Sequence, residues 1–122
     1  MNQHPSLTEI GLYFLTLSLM AIGGRGLISV ASNAIPAEMS QMIEAAERGD
    51  FAAARAMHHR LVPLMLGNFI ESNPGPVKFA MAAMGLCEEV YRLPMVSPRP
   101  ASQDKIRAFL KELGIEQSAV HH

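Results

Sequence analysis

The chain has 122 residues and 13.3 kDa, with ten Lys/Arg against eleven Asp/Glu and five His, a formal charge of −1. That length suits one ordinary domain and falls far short of the roughly 250 residues that a closed barrel of eight strands and eight helices needs. Near-neutral charge argues against nucleic-acid binding by bulk electrostatics, and 49% apolar residues at 17% charged argue against a disordered tail.

One cysteine, Cys87, excludes an internal disulfide framework and a multi-cysteine metal site. It fits a reducing, cytoplasmic compartment. Nine methionines and no tryptophan predict an adaptable helical core.

In chain order, Ile10–Ile22 is a run of thirteen mostly apolar residues without charge. A membrane span needs roughly 20 such residues and a signal peptide a cationic start, which Met1–Glu9 lacks. The run therefore reads as a buried element rather than a membrane segment or a leader. Gly23-Gly24-Arg25-Gly26 then precedes Leu27–Ala31 (LISVA), apolar and partly β-branched, which predicts one short strand buried on both faces. Such strands belong to parallel sheets, and few segments here could pair with it.

A helix follows from Pro36, with Ile35, Met39, Met42, Ile43 and Ala46 at helical spacing and Gly49 closing it. Asp50 caps a longer helix whose inner face reads Phe51, Ala54, His58, Leu61 and Met65. Pro63 lies inside it and predicts a kink or break. After the Ser72–Pro76 turn, Pro76 starts a third helix carrying Val77, Met81 and Met84, which runs out at Gly85. Arg92–Pro100 holds three prolines in nine residues and predicts extended loop. Ser102 opens a last helix with Ile106, Phe109, Leu110 and Leu113 inward and Gly114 at its end; Glu116–His122 reads as a frayed tail.

Few of these residues carry chemistry. The glycines at 23–26 precede the strand, whereas a phosphate loop follows one, so they read as a tight turn. His58 and His59 point about 100° apart on a helix and cannot chelate a metal together, even with Glu71 in the chain. Lys78 follows two prolines among apolar neighbours, a setting that could favour imine chemistry. Its plainer reading is a helix-start lysine with a solvated amine. Cys87 reads as a small buried hydrophobe. No catalytic residue, metal site or cofactor is assigned.

Three segments in order, Ile22–Asn33 (IGGRGLISVASN), Asn73–Lys78 (NPGPVK) and Arg92–Met95 (RLPM), together resemble the C-terminal part of the dihydrodipicolinate synthase family. Gly49–Arg55 and Arg60–Leu64 fall between them in the family's order, and the resemblance runs from about Leu15 to Ile115. The GLISVASN wording is closer to the synthases than to the sialic-acid and sugar-acid aldolases of the same pyruvate-dependent class I superfamily.

The resemblance implies a mostly α fragment of a (β/α)8 barrel. Residues 1–49 would hold its last strand (Leu27–Ala31) and last helix (Pro36–Arg48), residues 50–115 the family's C-terminal helical domain, and 116–122 a disordered tail. It implies a lyase that condenses pyruvate with aspartate semialdehyde through a lysine imine in lysine biosynthesis, with no cofactor. The imine lysine and the tyrosine motif of the family have no counterpart here. Lys78 matches a different family lysine. What carries over is a substrate-binding wall: Ile28 matches the residue whose main chain contacts pyruvate, with Gly26 and Ser29 as its neighbours. Met1–Phe14 departs from the family pattern, which suggests a new or misread start, and Gly75 stands where the family has a larger apolar residue.

The chain alone is therefore expected to be inactive. Three readings stay open: a truncated synthase, one half of a split aldolase completed by an N-terminal half, or a non-catalytic helical interaction module that self-associates through Ile10–Ile22. Pyruvate, a complementing half or a homo-oligomer are the implied partners, with no nucleic acid and no membrane.

Overall fold

The computed structural model of the chain describes Met20 and residues 22–115. Most of the Ile10–Ile22 run and the whole of the Glu116–His122 tail lie outside the described residues. Among the described residues, four helices follow a 3-10 turn, Val30–Asn33. They are α1 (Pro36–Glu47), α2 (Phe51–Gly67), α3 (Gly75–Ala83) and α4 (Pro100–Leu113).

Local sequence sets most of their ends. Pro36 occupies the first turn of α1, where its missing N–H leaves no bond unmade. Gly49, at φ +78°, turns the chain out of α1, and Asp50 N–H then donates to Ala45 O at 2.9 Å. The Asp50 carboxylate accepts from Ala53 N–H at 3.0 Å and so starts α2. Gly114, at φ +72°, ends α4, and Ile115 N–H closes the turn on Leu110 O at 3.1 Å.

The main core gathers Ile35, Met39 and Met42 of the α1 side, Leu61, Leu64 and Met65 of α2, Val77, Phe79 and Ala80 of α3, and Ile106, Leu110 and Leu113 of α4. Each large side chain of this kind contributes roughly 1.5–3 kcal/mol on leaving water. Met20 joins Ala45, Ala46 and Ala54 in a smaller cluster. Two arginines stitch the outside. Arg60 of α2 donates to Leu113 O at 3.2 Å, and Arg107 of α4 lies 4.8 Å from the centre of the Phe79 ring.

The structure departs from the sequence reading in several places. The expected strand Leu27–Ala31 is not one: residues 24–29 are irregular and 30–33 form the 3-10 turn. A strand is a pairing pattern, and no strand among the described residues offers it a partner. Pro63 does not break α2, which runs through it. α3 begins one residue before Pro76, and α4 begins at Pro100 rather than Ser102. Phe51 is exposed instead of inward, and Phe79, absent from the predicted inner face of α3, is 1% exposed.

Candidate functional site

Residues 24–29 lead into the 3-10 turn, with Leu27 against the core and Ile28 uncovered. Ile28 is 106% exposed, Gly26 is exposed, and Leu27 and Ser29 are half-buried. Ser29 has extended backbone at φ −140°, ψ 138°. The turn beyond it is anchored. Ser32 N–H donates to Ser29 O at 3.2 Å, Ile35 N–H to Ala31 O at 2.9 Å, and Asn33 Nδ2 to Val30 O at 3.0 Å. Ala31, Ala34 and Ile35 are 1–2% exposed and Leu27 packs against the main core, so the segment is fixed at both places while Ile28 between them is uncovered. Gly26 and Leu27 also border an open cleft of about 350 Å³ against Met39, Ser40 and Glu44 of α1. Of the three residues singled out from sequence, Gly26 faces this cleft; Ile28 and Ser29 are not among its walls.

The other candidates are dispersed. His58 is 3% exposed on α2, and burial, with His59 nearby, pushes its pKa below the ordinary 6.5. His59 is exposed, and the two rings stand 6.0 Å apart at 66°. Among the described residues no group of three His, Cys, Asp or Glu could hold a metal ion. Lys78 is half-buried with its amine 5.7 Å from the centre of the Tyr91 ring. Cys87 is exposed, contrary to its reading as a buried hydrophobe, because it falls beyond the end of α3 in the irregular stretch. Burial raises the pKa of Tyr91, and the neighbouring Glu89 carboxylate adds to that shift.

Sequence reasoning missed a set of polar contacts that joins Glu71, before α3, to the stretch leading into α4. Glu71 Oε1 accepts from Arg99 N–H at 2.9 Å. Hydrogen bonding from Ser102 and then from the Arg99 backbone, with the Arg99 charge, holds its carboxyl below the ordinary glutamate range. Glu89 Oε1 accepts from Ser97 Oγ at 2.6 Å and from the Tyr91 hydroxyl at 3.3 Å. Gln103 Nε2 donates to Ser97 Oγ at 3.1 Å and to Pro98 O at 2.9 Å. The Glu71 contact spans 28 positions in sequence, so no local pattern announces it. No helix among the described residues is long and apolar enough to cross a membrane.

A model of the dihydrodipicolinate synthetase family matches residues 11–113. The chain belongs to this family. The 4-hydroxy-tetrahydrodipicolinate synthase of Koribacter versatilis is 51% identical over 105 residues, which are 86% of this chain and 35% of that protein. The crystal structure of dihydrodipicolinate synthase from Aquifex aeolicus superposes with a TM-score of 0.80 at 43% identity, covering 85% of this chain and 36% of that one. The chloride-inhibited dihydrodipicolinate synthase of Acinetobacter baumannii, solved in complex with pyruvate, gives 0.76 at 35% identity, over 81% of this chain and 34% of that one. The chain thus spans about a third of the length of the synthases it matches.

Proposed function

We propose that this chain contributes the last strand, the last helix and the C-terminal helices of a (β/α)8 barrel that carries out the dihydrodipicolinate synthase reaction. In that reaction pyruvate condenses with aspartate semialdehyde through a lysine imine. Residues 22–49 are then barrel and 50–115 the helical domain.

The observation that carries the reading is the stretch 24–29. Its sequence is apolar from Leu27, Ser29 is extended, Ile28 has no cover, and a buried, hydrogen-bonded turn follows at once. Unpaired N–H and C=O groups on an extended apolar segment invite neighbouring strands. The synthase relatives and the pyruvate-bound Acinetobacter structure support the same reading.

In such a barrel the Ile28 main chain lies against pyruvate, flanked by Gly26 and Ser29, where barrel sites form at strand C-terminal ends. A backbone N–H there can donate to a carboxylate or keto oxygen in a position fixed by the turn behind it. The chain's own residues therefore bind and orient; the nucleophilic amine comes from further family polypeptide, which supplies the other strands and completes an oligomeric enzyme. Lys78, turned to Tyr91, is given no part in the imine.

Borohydride trapping with labelled pyruvate tests this. The chain alone should give no adduct. Mixed with a polypeptide carrying the first two thirds of a family member, it should restore condensation, with the label on that polypeptide. A label on Lys78, Lys105 or Lys111, or an assembled pair that turns nothing over, overturns the proposal.

A further inference from the structure

Between α3 and α4 the chain runs through residues 84–99 without regular structure. Leu86, Val90, Leu93 and Val96 in this stretch are 55–82% exposed, and of residues 86–99 only Pro98 is buried. Its backbone bonds are local, such as Met95 N–H to Arg92 O at 3.0 Å and Val90 N–H to Glu88 O at 2.9 Å. Its start is held to α3 by Leu86 N–H to Met81 O at 2.9 Å and Cys87 Sγ to Lys78 O at 3.9 Å, and its end is tied to the rest of the molecule by a few exposed or partly exposed contacts. Glu71 takes the Arg99 N–H, and Gln103 reaches back to Ser97 and Pro98. Glu89 gathers Ser97 and Tyr91 within the stretch, and Tyr91 sits under Lys78.

Behind this stretch lies a cavity of about 590 Å³. Ile70, Ser72 and Pro76 form one side of it, and Pro94, Met95 and Val96 form the other. Segments with little buried apolar surface and exposed hydrogen bonds open locally long before a packed core does. The helices on either side are different: Phe79, Ala80, Ile106 and Leu110 are 0–1% exposed.

We propose that residues 86–99 form a strap, latched by Glu71, Glu89 and Gln103, that opens as a unit over this cavity while α1–α4 stay folded. This goes beyond the synthase reading, since the strap and its cavity share no residue with the 24–29 segment. Latches made of side chains, rather than a ladder of backbone bonds, release together because Ser97 links Glu89 to Gln103 and Pro98–Arg99 link Gln103 to Glu71.

Hydrogen exchange read by mass spectrometry on the full chain tests it, comparing the unaltered protein with Glu71→Ala, Gln103→Ala and Glu89→Ala. Each variant should lower protection of strap amides at least 10-fold, with amides of Leu61–Met65 and Ile106–Leu110 changed less than 2-fold. Trypsin should nick the Arg92–Leu93 bond correspondingly faster in each. Gln103→Ala leaves both carboxylates in place, so it reads the latch even if a glutamate variant folds poorly. Equal loss of protection in strap and helices, or no loss in the strap, overturns the proposal.

Discussion

Gly67, the last residue of α2, faces Phe109 of α4, and the contact between them sets up a measurable conflict. A Cβ built on Gly67 would lie 2.8 Å from Phe109 Cδ2 and 3.0 Å from Cε2. Carbon atoms rest at about 3.5–4.0 Å, so in Gly67→Ala the ring must retreat by roughly 0.7–1.2 Å. Alanine favours the helix by about 1 kcal/mol over glycine. Displacing a ring packed against the core costs about 1–3 kcal/mol. The net expectation is a loss of about 0–2 kcal/mol, and a double-mutant cycle separates the two parts. With Phe109→Ala the obstruction is gone, so Gly67→Ala should then gain about 0.5–1 kcal/mol from helix propensity. Urea denaturation of the four proteins should return a coupling of about 1–3 kcal/mol. If Gly67→Ala stabilises both backgrounds equally, the close approach of α2 to α4 is not as described.

Four other outcomes are expected. Gly114→Ala forces a side chain into the left-handed region at φ +72° and should cost about 1–2 kcal/mol, read as a lower thermal midpoint. Arg60→Ala removes the bond to Leu113 O and should cost about 0.5–1.5 kcal/mol by urea titration. His58 has a folded pKa below 6.5, so the unfolded chain takes up its proton first: its contribution is fully present above about pH 6.5 and is lost as pH falls toward the folded value. The urea midpoint should therefore drop from pH 7.5 to pH 5, and His58→Leu should flatten that drop. Ile28→Asp, at a fully exposed position, should leave stability within about 0.5 kcal/mol while abolishing condensation by the mixed polypeptides described above.

The helices were legible because their signals are local. Asp50 before α2, Pro36 in α1 and Gly114 after α4 each act within one turn, and Met39, Met42, Leu61, Met65, Ile106 and Leu110 repeat with the helical period and are buried. Leu27–Ala31 reads as a strand from its apolar, partly β-branched composition. That composition records a preference for buried, paired backbone, and the described residues supply no pair. Phe79 escaped because α3 is only nine residues long, too short for periodicity to define one face. The Glu71–Arg99 contact was invisible because it depends on how α2 and α4 are brought together. The candidate wall at Gly26, Ile28 and Ser29 came from a likeness in wording, not from any chemistry those residues announce by themselves.

The main core is rich in thioethers. Met39 and Met42 of α1 and Met65 of α2 are 0–6% exposed in it. Sulfoxide formation would give each a polar oxygen in surroundings that are otherwise hydrocarbon, loosening the contact it now fills. Met39 borders the open cleft beside Gly26, whereas Met42 has no exposed surface, so peroxide reaches the Met42 sulfur only when the packing around it opens. The rate of Met42 oxidation is therefore a clock for how often that packing breathes apart.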